Sequence, residues 1–302
     1  MNREKILVVV VTYNAMQWIE RCFDSLCKST FKPDVFVVDN GSTDGTQNYL
    51  RANYPEVIFQ QSNENLGFGK ANNIGLQYAL DYNYDFVYLM NQDAWVMPDT
   101  FETLVALSKK YPEYGIFSPF QMNADMLYID ANFANYTCSW KSNHNILSDI
   151  YNHHLNDVYS VRFVMAAHWF MPISTIRKVG GFSPSFPHYG EDDNYIDRVH
   201  YWNLQIGIVP SLKVVHDRGD RVDSTKKIMY QDYTFSIRLL SKPKSVNIKT
   251  YMIVFFIALR NMKRYRTLRP IKYLWKVFNN LSIIKLNRKM STNNQCAFLR
   301  LT

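Results

Sequence analysis

Ile6-Leu7-Val8-Val9-Val10-Val11 runs straight into Thr12-Tyr13-Asn14, and the same change from apolar to polar recurs twice downstream. Val35-Phe36-Val37-Val38 gives way to Asp39-Asn40-Gly41-Ser42-Thr43-Asp44, and Phe86-Val87-Tyr88-Leu89-Met90 gives way to Asn91-Gln92-Asp93. Short runs rich in Val and Phe, separated by helical patterns, predict buried parallel strands. Ligands of open α/β sheets sit beyond the carboxyl ends of the strands. The three polar clusters therefore point into one crevice, and the chemistry is expected there.

Outward from these runs, Ala15 to Cys27 has helical spacing, with Trp18, Ile19, Cys22, Phe23 and Leu26 on one face. Thr43 or Asp44 can cap a helix to about Asn53. Val57-Ile58-Phe59 is a further strand, residues 63–70 a loop, and Ala71 to Asp81 a helix. The fourth strand spans Asp85 to Met90, Asp99 caps a helix to about Lys110, and Gly115-Ile116-Phe117 is a short strand. This alternation predicts an α/β fold with an open, mostly parallel, Rossmann-like sheet flanked by helices. From Gln121 to about Tyr159 the periodicity fades, as for an irregular excursion over a site. Order is expected to resume at Val161 to Ala166. A short helix over Ser174–Val179, a helix over Glu191–Trp202, and strands at Gln205–Val209 and Leu212–Val215 follow.

A chain of 302 residues, 47% of them hydrophobic, can bury a substantial core as one large domain or two small ones. Its 21 Tyr and 19 Phe suit stacking on sugars or nucleobases, and plain packing equally. Cys22, Cys27, Cys138 and Cys296 lack metal-type spacing and read as reduced thiols of a cytosolic protein. The first apolar run is too short for the core of a signal peptide. The net charge of +8 hides an asymmetry. From Ser241 onward there are fourteen Lys or Arg and no Asp or Glu, whereas residues 1–240 carry 20 basic and 26 acidic groups. An acidic body with a cationic tail implies an anionic surface as partner.

The opening Val10-Val11-Thr12-Tyr13-Asn14, the Val38-Asp39-Asn40-Gly41-Ser42-Thr43-Asp44-Gly45-Thr46 block and the segment Asn65-Leu66-Gly67-Phe68-Gly69-Lys70-Ala71-Asn72-Asn73-Ile74-Gly75 occur in one order. Together with Asn91-Gln92-Asp93 and Gly190-Glu191-Asp192-Asp193, they resemble glycosyltransferase family 2, inverting enzymes with a GT-A fold. The Asn-Leu-Gly-Phe block is similar to that of rhamnosyltransferase-like members. The resemblance covers roughly residues 5–220.

It implies an enzyme that moves a sugar from a UDP- or dTDP-activated donor, with dTDP-rhamnose one option, to a hydroxyl of a growing surface glycan. Asp93 stands where the family places a metal-binding Asp-x-Asp motif, with Asn91 in place of the first Asp. Metal contact, by Mg²⁺ or Mn²⁺, falls on Asp93 first, because an amide oxygen carries no charge. His216, closing the Val214-Val215 pair, stands where members often carry a metal-ligating His. Asp192 corresponds to the general base: a carboxylate among carboxylates resists ionisation. Glu191 and Trp169 are assigned to the acceptor. Asp39 resembles the residue that pairs with the nucleobase. Thr12, Tyr13, Asn14, Asn40, Gly41, Gly69, Lys70, Asn73, Asn91 and Gln92 complete the expected nucleotide-sugar site. The plainer readings are a strand-end turn for Asn91–Asp93, an acidic helix N-terminus for Glu191–Asp193, and a structural histidine for His216.

The expected organisation is a GT-A catalytic domain over 1–240 and a basic, amphipathic helical tail over 241–302. Within the domain, a nucleotide-binding half covers about 1–120 and an acceptor-binding half about 121–240. Tyr251 to Leu259 is too short to span a bilayer, and after Pro270 the residues Ile271, Leu274, Trp275, Phe278 and Leu281 share a helical face. Trp and Tyr beside Lys and Arg suit lipid headgroups, so residues 241–290 are expected to meet an anionic membrane. That places the protein in the cytoplasm, peripheral on the inner face of the membrane, near lipid-linked acceptors. A tail docked on the catalytic domain is the alternative. Nucleic acid is not expected, since no recognition module is evident. Two other functions compete. One is an inactive membrane-associated scaffold, favoured only by Asn91. The other is a nucleotide-cofactor oxidoreductase, suggested by Gly67-x-Gly69 but lacking the third glycine at Asn72.

Overall fold

The computed structural model describes residues 4–138, 146–219, 224–244, 246–293 and 295–300. Strands β1 (Ile6–Thr12), β2 (Asp34–Asp39), β3 (Ile58–Gln61) and β4 (Phe86–Asn91) form a parallel set in the order β3-β2-β1-β4. Helices α1 (Ile19–Cys27), α2 (Thr46–Asn53) and α3 (Phe68–Asp81) make the crossovers. The register aligns Thr12 with Asp39 and Val11 with Asn91, so three strands end side by side.

The rest of the sheet is mixed. β5 (Ala94–Trp95) follows β4 directly, and after α4 (Thr100–Lys110) comes β6 (Tyr114–Met122). Helices α5 (Ala131–Thr137) and α6 (Ile146–Tyr151) precede the short β7 (Tyr159–Ser160) and β8 (His168–Pro172). Helices α7 (Ile173–Val179) and α8 (Glu191–Tyr201) lead to β9 (Gln205–His216). β8 runs antiparallel between β4 and β6, and β9 runs parallel to β6. The expected α/β sheet is thus present, parallel over β3-β2-β1-β4 and mixed from the antiparallel β8 onward.

Alternation along each strand sends side chains to two cores. Leu7, Val9, Val87 and Leu89 face α3 and α8, whereas Ile6, Val8, Val10 and Tyr88 face α1 and α4. Each such buried side chain stabilises the fold by about 1.5–3 kcal/mol. Helix α3 lies so close to β1 that a Cβ on Gly75 would sit 2.5 Å from Val9 Cγ1.

Several boundaries differ from expectation. Order resumes at β7 and β8 rather than over Val161–Ala166. Val164, Met165 and Ala166 are buried in an irregular link that leaves β9 after Val161 N donates to Ile206 O at 2.9 Å, and burial without further pairing leaves the same apolar signature in sequence. The two strands expected at 205–209 and 212–215 are one, with a register shift opposite Pro119 and Phe120 that accommodates Pro210. Part of the stretch expected to be irregular is helical, in α5 and α6; residues 139–145 lie outside the described residues. Helix α3 begins at Phe68, so Gly69 and Lys70 are on its first turn rather than in a loop.

Helices α9 (Thr225–Ser241), α10 (Ile248–Tyr265), α11 (Arg269–Asn279) and α12 (Leu281–Asn293) share a smaller core of Ile237, Leu240, Val254, Val277 and Ile284 with Phe186. Residues 295–300 return to the sheet domain. Gly181 N donates to Ala297 O at 2.8 Å, Cys296 N to Arg177 O at 2.8 Å, and Arg300 N to Gln77 Oε1 at 2.7 Å.

Candidate active site

At the carboxyl edge, the first two strand ends are locked together by one carboxylate. Asp39 is fully buried. Its Oδ1 accepts from Gly41 N (3.1 Å), Ser42 N (2.9 Å) and Gln47 Nε2 (2.9 Å), and its Oδ2 from Thr12 Oγ1 (2.9 Å) and Ser42 Oγ. A carboxylate offers about four lone-pair sites, so this one is saturated by its own turn. Asn14, at φ 51°, holds the facing loop by accepting from Thr43 N at 2.9 Å. Tyr13 projects outward, 47% exposed. Gln92 pins it from the third strand end, accepting from Tyr13 N at 2.7 Å and donating to Tyr13 O at 3.2 Å. Asn40 accepts from Leu66 N at 3.3 Å and so ties this edge to the loop that enters α3. Lys70 is exposed on the first turn of α3.

Asn91, Asp93 and His216 meet although they lie far apart in the chain. β5 pairs Ala94 with His216, and Asp217 N donates to Asp93 O at 2.7 Å, which folds the Asn91–Asp93 turn against the end of β9. His216 Nε2 stands 3.5 Å from Asp93 Oδ1 and 3.3 Å from Asn91 Nδ2. Two neighbouring ligands of an octahedral cation at about 2.1 Å stand about 3 Å apart, a little closer than His216 Nε2 and Asp93 Oδ1, whereas the Asn91 group facing His216 is the amide nitrogen, a donor rather than a ligand. His216 Nδ1 is buried without a hydrogen-bond partner among the described residues. No group of three or more His, Cys, Asp and Glu suited to a metal ion occurs among the described residues.

Beneath this cluster, the fully buried His168 accepts from Tyr88 Oη (2.7 Å) through Nδ1 and donates from Nε2 to Val215 O (2.9 Å). Burial lowers its pKa to about 3, so it stays neutral and fixes the strand residue before His216. The Cys22 thiol beside Asp93 is pushed up by burial.

The acidic residues expected to serve the acceptor are carried by α8. Its first turn carries Glu191, Asp192 and Asp193 on the wall of a cavity of about 630 Å³, which Met165, Tyr189, Arg218 and Phe235 also line. Burial raises the Asp192 carboxyl above the usual carboxylate range, and Asp193 N donates to its Oδ1 at 2.8 Å. Burial and then Asp192 raise Glu191 and Asp193 as well. Ala167 O accepts from Asn91 N at 3.1 Å. The Ala166-Ala167 pair therefore lies between Asp192, which Ala166 neighbours, and the Asn91–Asp93 turn, which Ala167 bonds.

Arg238 of α9 grips α8 from outside. It donates twice to Asp197, at 2.8 and 2.9 Å, and once to Asp193. Sequence reading missed this clamp. The Asp193/Asp197 spacing marks one helical face, but no local pattern designates a partner on α9.

Some expected site residues serve the scaffold instead. Trp169 is fully buried, donates from Nε1 to Val164 O at 3.2 Å and packs on Tyr195 and Phe182, so it cannot touch an acceptor. The Asn73 amide is occupied at both ends by Phe182, accepting from its N at 2.6 Å and donating to its O at 2.9 Å. Gly69 makes room for Phe182, 2.9 Å from where its Cβ would lie. Gly67, at φ +78°, would bring a Cβ within 2.4 Å of Pro187 O. These two glycines thus serve close packing against the loop before α8, which removes the dinucleotide reading of Gly67-x-Gly69.

The sheet, its strand-end crevice and the flanking helices define a GT-A fold. The crystal structure of S. aureus TarS 1-349 in complex with UDP superposes with a TM-score of 0.54 at 15% identity, over 86% of this chain and 72% of that one. Residues 7–161 match the model of glycosyl transferase family 2, and the chain belongs to that family. It is 32% identical over 127 residues to the N-acetylglucosaminyl-diphospho-decaprenol L-rhamnosyltransferase of Mycobacterium tuberculosis (strain ATCC 25618 / H37Rv), covering 39% of this chain and 41% of that protein. It is also 32% identical over 114 residues to Glycosyltransferase GlyA of Streptococcus pneumoniae serotype 4, covering 37% and 16%. The chain spans less than half the length of these curated relatives.

Proposed function

We propose that this chain is an inverting glycosyltransferase that moves a sugar from a UDP- or dTDP-linked donor to a hydroxyl of a lipid-linked glycan. The observation that carries the reading is that the buried Asp192, on the wall of the cavity of about 630 Å³, and the Asn91–Asp93–His216 cluster lie at the two ends of the short Ala166-Ala167 segment. The names of relatives support the two ends of the reaction. One is an L-rhamnosyltransferase of a decaprenol diphosphate acceptor, and TarS has been crystallised with UDP-GlcNAc.

The exposed Tyr13 ring is positioned by Gln92 and Asn14 to stack on the base. Asp39, held by Thr12, Gly41, Ser42 and Gln47, shapes the adjoining turn on which the base would rest. Asp93 and His216 would hold Mg²⁺ or Mn²⁺, with Asn91 beside them. When bound, such an ion supplies Lewis acidity and charge neutralisation at the departing diphosphate. Lys70 adds a point charge to the same end.

Glu191 Oε2, buried without a hydrogen-bond partner among the described residues, orients the acceptor by taking a bond from one of its hydroxyls. The acceptor oxygen bonds to the anomeric carbon opposite the diphosphate. The bond from that carbon to the diphosphate breaks, and the electron pair leaves with the diphosphate. Asp192 takes the hydroxyl proton.

The test is transfer and donor hydrolysis with a panel of UDP- and dTDP-sugars, with and without EDTA, in the wild type and in Asp192→Asn. Transfer by the wild type that is lost in the variant supports the reading. Undiminished transfer by the variant removes the base.

A further inference from the structure

Helix α10 is apolar on two opposite faces. Val254, Ile257 and Ala258 pack inward against α9 and α11, whereas Met252, Phe255, Phe256 and Leu259 point to solvent. Among the described residues, the first face alone has a partner. Helix α11 repeats the arrangement: Val277 is buried, while Ile271, Trp275 (65% exposed) and Phe278 form an outward stripe at spacings of four and three. In a water-soluble surface such aromatic stripes are anomalous and mark a site of interaction.

The flanks of the stripes say what kind. Lys263 stands beside the exposed α10 stripe, and Lys272 and Lys276 stand beside that of α11, all exposed. From Ser241 onward no carboxylate neutralises these cations within the segment. Pairing two copies through this face would bring like charges together. An anionic lipid surface supplies the missing negative charge and an apolar layer at the same depth. The −6 balance of residues 1–240 repels the rest of the protein from such a surface and so fixes which side faces it. No helix among the described residues is long and apolar enough to cross a membrane, so these helices would lie along the surface.

We infer that the outward face of α10 and α11 docks on an anionic phospholipid leaflet. Phe255, Phe256, Trp275 and Phe278 enter the acyl boundary, and Lys263, Lys272 and Lys276 lie among the headgroups. This surface is independent of the transfer chemistry, and its failure would leave transfer to a soluble acceptor intact.

The experiment is co-sedimentation of the full chain with vesicles of phosphatidylcholine and phosphatidylglycerol, with pure phosphatidylcholine vesicles as the neutral arm. The variants are F255S/F256S, W275S and K263E/K272E, all at exposed positions. The wild type is expected to bind the anionic vesicles at least about tenfold better than the neutral ones, and to be released by high salt. F255S/F256S and K263E/K272E should each weaken binding by about tenfold or more, with unaltered circular dichroism. Absence of wild-type binding to anionic vesicles at low salt overturns the inference. So does unchanged binding by both double variants, or a wild-type dimer in solution that F255S/F256S converts to monomer.

Discussion

His216 Nε2 stands 3.5 Å from Asp93 Oδ1 because Ala94, the residue after the aspartate, pairs with His216 across β5 and β9. One short ladder thus sets both the spacing of the proposed ligands and their approach to Asn91. Replacing Asp93 removes the only charged ligand of the pair, and Asp93→Ala should lower metal-dependent transfer by at least about 100-fold. His216→Ala should cost less, about tenfold or more. EDTA should bring the wild type down to the level of Asp93→Ala, and added Mn²⁺ should rescue the wild type alone. Calorimetric titration of Mn²⁺ in the presence of UDP or dTDP checks the binding directly.

The base predicts a pH profile. Burial holds the Asp192 pKa above the usual carboxylate range, while Arg238 pulls it down. Asp192 must be ionised to take a proton, so the rate should fall as pH drops through that raised pKa. The acid limb should therefore lie above the pH at which an ordinary aspartate titrates, about 4. Arg238→Gln removes a neighbouring cation and should move the limb to higher pH. Rates across pH at saturating donor and acceptor measure the shift, and a limb that stays in place in Arg238→Gln would disconnect the two residues.

The same burial makes a stability prediction with the opposite sense. Glu191 has a raised pKa in the fold, from burial first and Asp192 second. It binds its proton more tightly folded than unfolded, so its contribution is full below the unfolded carboxylate range and is lost as pH rises through the raised value. Glu191→Gln keeps the shape without the charge. It should be more stable than the wild type above neutrality and about equal to it at acid pH, while transfer to acceptor falls. Urea unfolding at the two ends of the pH range separates these outcomes.

What could be read from the sequence follows the range of the interactions involved. β1, β2 and β4 announce themselves because a buried parallel strand is apolar throughout and must end abruptly where its ligand edge begins. Asp39, Asn91 and Asp93 are legible as strand-end residues for that reason. His216 needed the further fact that β9 runs parallel to β6 and ends beside β5, and the family resemblance alone located it. The roles expected of Asn73 and Gly69 fail because both answer to Phe182, more than a hundred residues away, and that of Trp169 fails because its ring is enclosed by Phe182 and Tyr195. Arg238 left no trace at all, since its partners are chosen by the docking of α9 on α8. Local signals locate strand ends; only tertiary packing separates a polar side chain that contacts ligand from one that clips two loops together.

Trp169 supplies a test of that distinction. Its ring lies in the core between Phe182 and Tyr195, and its Nε1 satisfies the Val164 carbonyl. Trp169→Phe should leave a small cavity and an unpaired carbonyl, lowering stability by about 1–3 kcal/mol. The KM for acceptor should not move beyond error. A raised acceptor KM at unchanged stability would return Trp169 to the binding site.

Gly67 holds the turn into α3 against the loop that leads into α8. Its backbone at φ +78° lets the chain turn into α3 while passing against the carbonyl of Pro187, close to the start of α8. An alanine there meets both an unfavourable backbone and a contact at 2.4 Å that only movement of the 186–190 loop can relieve. Gly67→Ala should therefore lose about 1–3 kcal/mol of stability, because the left-handed conformation and the displaced loop both oppose it. It should also slow transfer to acceptor more than it weakens nucleotide binding, since the loop it displaces leads into Glu191 and Asp192 while Tyr13, Asp39 and Asp93 stay in place. Nucleotide affinity by calorimetry and transfer rate on the same preparation decide the matter. Equal losses in both would mean that α3 itself had shifted, and that the turn at Gly67 supports the nucleotide edge rather than the acidic one.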